Sequence, residues 1–179
     1  MRAGAIVSCA AALACACASP SDREAMEAVR SYDDALMAAY RSGDASLVEP
    51  FAGPDEAKKL LGLVGAKLDM GITLDAELVQ LEVLGVERRD GGASVRTREV
   101  WRYADRKVGT GAPVGEASED HYEMSYRLGR SGKKWVVEEV SFASPPKVGR
   151  KQVLVSAHPR SFHGDTVDPS SPAGGGGNP

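Results

Sequence analysis

An α+β domain, with N-terminal helices packed on a curved four-stranded antiparallel sheet, is what three features of this 179-residue chain predict. Apolar residues recur at helical spacing through the first third. From Ile72 onward the period falls to two. Gly-bearing turns at 90–92 and 130–133 then join the alternating runs as hairpins. Helices first and hairpin-linked strands afterwards define the α+β class, in which antiparallel strands curl around a helix that covers their apolar face.

The first helix is expected over 22–41. Ser21 and Glu24 form a capping box, and Met26, Val29, Tyr32, Leu36 and Tyr40 supply the apolar stripe. Gly43 gives it a left-handed end. Asp44 or Ser46 caps a short second helix that stops near Phe51. Pro54 opens a third, because a proline at the first helical position loses no hydrogen bond. Its stripe is Ala57, Leu60, Leu61, Val64 and Leu68, and Gly71 closes it. A long strand follows over 72–88, bent near Gly85, and then the turn Asp90-Gly91-Gly92. The second strand, 93–103, sets Val95, Thr97, Glu99, Trp101 and Tyr103 on one face against Arg96, Arg98, Val100 and Arg102. The Gly-rich stretch 105–120 reads as a long surface loop. Strands at 121–128 and 134–142 complete the sheet, the last with Trp135 and Val137 on one face and Val136, Val140 and Phe142 on the other. A weak strand is expected at 151–157. From His158 the composition of Pro, Ser, Gly and Asp predicts disorder, since such a segment cannot bury enough apolar surface to offset its ordering entropy.

The N-terminus has a separate logic. Met1-Arg2 is a short basic region, 3–13 is apolar, and Ala14-Cys15-Ala16-Cys17-Ala18 supplies small residues at a cut. The run resembles the bacterial lipobox, in which the cysteine after the cut is acylated and becomes the mature N-terminus. On that resemblance Cys17 is the lipidated residue, with Cys15 the alternative. Cleavage after Ala18 would instead give a freely secreted chain. The apolar run is too short and too rich in Ala for a spanning helix, which needs ~20 strongly apolar residues. The expected organisation is a signal peptide at 1–16, a tether at 17–21, one domain at 22–143 and a tail at 144–179. All three cysteines fall in the leader, so neither disulfides nor thiolate metal sites are expected in the domain.

Further on, Val29-Arg30-Ser31-Tyr32, Ala39-Tyr40-Arg41-Ser42-Gly43-Asp44, Leu47 and Phe51 resemble the opening of NTF2-like domains: a long amphipathic helix, a Gly-Asp break, then a short helix ending in Phe. Glu99-Val100-Trp101, the run 122–128 and the run 135–140 resemble the closing strands, in particular those of the IMS-type branch. The resemblance covers about 22–142 and implies a cone with a pocket between sheet and helix. Some members of that superfamily are isomerases, cyclases or dehydratases, and many only bind. The catalytic Tyr of the ketosteroid-isomerase-like members falls near Leu36 here, between Tyr32 and Tyr40, so no catalytic residue carries over.

The residues themselves name few chemical candidates. A net charge of −3 argues against a nucleic-acid partner. His121, beside Glu119 and Asp120, is expected as an exposed strand-end histidine. Asp33 and Asp34 point about 100° apart on a helix, and both are assigned to a polar face. Tyr32, Trp101, Tyr122, Tyr126 and Trp135 are the aromatics that would line a pocket. Arg96, Arg98 and Arg102 are expected as solvated charges protecting the sheet. The expectation is a lipid-anchored, exported envelope domain that binds a partner protein or small ligand without catalysis, cofactor or metal. The alternative is a secreted isomerase or hydrolase using the cone.

Overall fold

The computed structural model describes residues 19–89, 91–145 and 147–148. The leader cysteines, the weak strand expected at 151–157 and the remaining tail lie outside the described residues. Among those described, helix α1 (Pro20–Ser42), a 3-10 turn (Ala45–Val48) and helix α2 (Pro54–Asp69) precede strands β1 (Ile72–Arg89), β2 (Gly92–Lys107), β3 (Pro113–Ser131), β4 (Lys134–Phe142) and the two-residue β5 (Lys147–Val148). The strands form one antiparallel sheet in the order β1-β2-β3-β4, with β5 beside β3.

Helix α1 starts earlier than the sequence suggests, at Pro20. Ser19, not Ser21, is the cap: its hydroxyl accepts from the Asp22 N–H, and Asp22 reaches back to the Ser19 N–H. The capping box at 19/22 prevails because it sets Pro20 at the first helical position, where proline is favoured. At the other end Gly43 adopts φ 76 and donates to the Ala39 carbonyl. Helix α2 buries Leu60 and Val64, but Leu61 (63 % exposed) and Leu68 (39 %) face outward. Only part of its expected stripe therefore meets the sheet. Lys67, near the end of α2, is buried and pairs at 2.6 Å with Asp105 on β2, tying helix to strand.

The sheet corrects two expectations. Residues 105–120 are not a long loop. β2 runs on to Lys107, a tight turn with positive φ at Gly109 and Gly111 reverses the chain, and β3 begins at Pro113. The second correction is in β4. A register shift opposite Arg127 and Leu128 loops Glu138 out, so Val137 and Val140 share the buried face. Strict alternation would have put them on opposite faces, which is the usual effect of a bulge. Two register shifts interrupt the β1 pairing, at Leu78/Gln80 and Val83/Gly85, the second at the glycine near which a bend is expected.

The core lies where the inner sheet face meets α1 and α2. Val29, Tyr32, Leu36 and Tyr40 from α1 meet Val95, Trp101, Tyr122, Met124, Tyr126 and Leu128. On the outer face Arg98 bridges Glu82 and Glu123, and Arg102 bridges Glu77 and Glu119, each across three strands in direct register. These arginines already hold carboxylate partners, as solvated sheet-protecting charges should. Each exposed pair adds at most about 1 kcal/mol. Among the described residues, no strand pairs with β3 on its β4 side from Pro113 to Glu119.

Candidate functional site

The inward face of β2 carries a carboxylate. Period-two alternation through Val95, Thr97, Glu99, Trp101 and Tyr103 sends Glu99 into the core at zero exposure. Its neighbours two residues away on the same face satisfy it: Thr97 Oγ1 donates to Oε1 at 2.5 Å and Trp101 Nε1 to Oε2 at 2.6 Å. From β3, Tyr126 donates to Oε1 at 2.7 Å. The same Tyr126 oxygen stands 3.2 Å from Asp33 Oδ1 on α1.

One hydroxyl has one proton to give. Tyr126 therefore shares that proton between two carboxylate acceptors, with Glu99 the nearer and better served. Burial pushes Asp33 well above its ordinary value, and the charge of Glu99 adds to the rise. Burial raises Glu99 too, but three donors oppose that rise. Asp33 Oδ2 is buried with no hydrogen-bond partner among the described residues. Asp33, Tyr126 and Glu99 thus form a buried hydrogen-bonded cluster between α1 and the sheet.

Two further polar groups flank it. Tyr32, edge-on to Tyr126 with centroids 6.2 Å apart, donates at 3.0 Å to Glu56, which Lys59 meets from the surface at 3.2 Å. Burial, then Glu56, raises the Tyr32 pKa. Nearer the opposite end of the sheet, Tyr122 donates to Asp120 Oδ2 at 3.0 Å, and Tyr103 stacks on Trp101 at 6.0 Å. Asp120 Oδ1 is buried without a partner among the described residues.

Tyr32, Trp101, Tyr122 and Tyr126 are therefore brought together, as close-packed core residues bonded to buried acids. Trp135 is not with them. It sits at the start of β4 with the Arg130 guanidinium 3.7 Å from its ring centroid and that of Arg88 at 5.9 Å. His121 is exposed on the outer face, 3.8 Å from Glu119. The polar face expected for both helix aspartates holds only for Asp34, which is exposed; Asp33 is fully buried. The acids Asp33, Glu56, Glu99 and Asp120 escape sequence reasoning as a set. The signal is in the spacing. Val29, Asp33, Leu36 and Tyr40 follow the helical stripe, and Glu99 follows the inward register of β2.

The open concavity is on the other side of the sheet, a trough of about 430 Å³ floored by Gly92, Ser94, Ser125, Gly129 and Ser141 and walled by Arg127 with Glu138 and Glu139. Crowding, by backbone at Gly92 and by a side chain at Gly129, favours a bare floor. A Cβ on Gly92 would lie 2.8 Å from the Leu128 carbonyl oxygen, and one on Gly129 would run into the Glu138 carboxylate. The looped-out Glu138 lies over Gly129 and pairs with Arg127, whose Nε also meets Glu139 at 3.1 Å. Among the described residues no group of three His, Cys, Asp or Glu is placed to hold a metal, and no helix is long and apolar enough to cross a membrane.

No family model matches the chain, and neither does any curated protein. Among solved structures, the intermembrane-space region of the chloroplast protein ARC6 superposes with a TM-score of 0.59 at 17% identity, covering 67% of this chain and 94% of that one. At that identity the likeness is one of fold: two helices on a four-stranded antiparallel sheet.

Proposed function

We propose that the chain is exported, acylated on Cys17 (with Cys15 the alternative), and presents a domain that binds a partner protein or ligand at the envelope without catalysing a reaction. The observation that carries the non-catalytic reading is the closure of the cone. Its acids are at zero exposure or nearly so, and Glu99 is saturated by the chain's own donors. A general acid must come within hydrogen-bond reach of a substrate proton, and burial holds these side chains away from any substrate. The outer trough, by contrast, is open and large enough for a peptide segment or small polar ligand. The solved neighbour belongs to a compartment between two membranes. That parallel is one of fold, and the address of this chain rests on its leader sequence.

Two measurements test the reading. Radiolabelled palmitate is expected to enter the native chain and to be lost in Cys17→Ser. Label persisting in that variant moves the site to Cys15, and an unlabelled native chain ends the lipoprotein claim. Ser125→Trp is expected to fill the trough and lower cross-linking through a photoreactive residue at Ser94 at least about tenfold, since an indole occupies the space a partner would need. Equal cross-linking before and after would remove the trough from the function.

A specific observation favours a second reading, the buried Asp33–Tyr126–Glu99 cluster, which a cone-based isomerase or hydrolase would use if the helices parted from the sheet. Under that reading Asp33→Asn abolishes turnover of a substrate while leaving the fold intact.

A further inference from the structure

The end of the domain from which the leader departs is basic. Four features converge there: the N-terminus of α1, the C-terminus of β1, and the two sides of the β3–β4 turn. Asp22 pairs with Arg88 at 3.0 Å and Glu24 with Arg130 at 3.7 Å, which pins α1 to the two hairpin ends. Arg23, Arg88, Arg89, Arg127, Arg130, Lys133 and Lys134 are exposed at or beside this end, against Asp22, Glu24, Glu87, Glu138 and Glu139 among the described residues, with Asp90 in the turn by sequence. Asp22, Glu24 and Glu87 are already engaged, by Arg88, Arg130 and Arg89 respectively. Arg23, Lys133 and Lys134 have no ion-pair partner among the described residues. A surplus of cations thus sits at one end of a chain whose net charge is −3.

We infer that this end is a docking face for an anionic bilayer surface, with Lys133, Lys134 and Arg23 meeting the headgroups. The inference rests on the anchored reading above. Cys17 lies two residues before Ser19, so an acylated Cys17 would hold this end within roughly 7 Å of the lipid it is attached to. Charge complementarity then selects the partner: juxtamembrane Lys and Arg are drawn to anionic headgroups over about a Debye length. Trp135 packs at the same end with its Nε1 buried and its ring under the Arg130 guanidinium at 3.7 Å, which holds Arg130 in place there. A single acyl chain gives marginal membrane binding, and a basic face is the kind of second contact that makes it lasting.

The test uses the full chain carrying Cys15→Ser and Cys17→Ser, so that no lipid contributes, in sedimentation with vesicles of phosphatidylcholine alone or mixed with phosphatidylglycerol. Binding is expected only to the mixed vesicles, and is expected to weaken in high salt. K133E/K134E should reduce the bound fraction's partition coefficient by at least about tenfold, at roughly fivefold per basic residue lost. Lys107→Glu, at the far end of the sheet, should leave it unchanged. Equal binding to both vesicle types, or full binding by K133E/K134E, overturns the inference. So does binding that vanishes only when residues 149–179 are removed, since the contact would then lie in the tail. Failure of palmitate labelling in the native chain would sink the anchor without touching the vesicle result, so the two claims fail separately.

Discussion

Glu99→Ala is expected to cost about 4 kcal/mol of folding stability, since each buried donor left without an acceptor costs ~1–3 kcal/mol. Trp101 Nε1 loses its 2.6 Å acceptor and has no rotational freedom with which to find another. Thr97 loses a 2.5 Å acceptor, while Tyr126 can turn its proton to Asp33, which moderates the total. Glu99→Gln should cost less, about 2 kcal/mol, because one oxygen still accepts while the amide N–H2 faces a donor. Urea denaturation with an unchanged m-value measures both. A loss under about 1 kcal/mol for the Ala variant would mean that the carboxylate does not organise the core.

Asp33→Asn is expected to change the pH dependence of stability more than stability itself. The sign follows from linkage. Burial and Glu99 raise the folded-state pKa of Asp33 above its ordinary 3.8, so between the two values the folded chain holds a proton that the unfolded chain has released. Stability then falls as pH rises, by up to about 1.4 kcal/mol per pH unit for one proton, and is greatest on the acid side of that window. The burial-raised Glu99 contributes in the same direction. The substituted amide is neutral at every pH and never sets a second negative charge beside Glu99. As pH rises above the ordinary aspartate value, denaturation midpoints should therefore decline in the native chain and stay flatter in the variant, so that the two curves converge or cross. Parallel curves would mean that Asp33 is already ionised in the native fold.

How much of this is legible depends on whether a rule is local. The inward face of β2 can be read from alternation alone, Glu99 included, and Gly85 stands at one of the register shifts in β1. The β4 face assignment fails because the bulge at Glu138 depends on the strand opposite it, which no period within 134–142 records. The loop expected at 105–120 fails for the opposite reason. Its glycines read as loop composition, yet Gly109 and Gly111 serve a short turn between Lys107 and Pro113 and leave the rest to pair with β2. The site is harder. Asp33 obeys the helical stripe, but an acid on a stripe reads as solvated until its partners are known. Those partners, Tyr126 and Glu99, lie 93 and 66 positions away along the chain. The trough is invisible for a similar reason: its floor is made of small residues from three strands, and nothing in any one of them signals a concavity.

The unpaired side of β3 from Pro113 to Glu119 bears on how concentrated this protein can become before it self-associates. Open backbone at the rim of a sheet is a template on which a second molecule can add a strand, and growth from there runs toward insoluble fibres. Here the template is poor. Pro113 withholds an N–H, Gly115 with φ 77 breaks the extended line, and Glu116 and Glu119, three residues apart in a strand and therefore on opposite sides of it, repel an identical rim from either side. Among the described residues this stretch of β3 has no strand on its outer side, and its own sequence makes it an inhospitable template for a second copy.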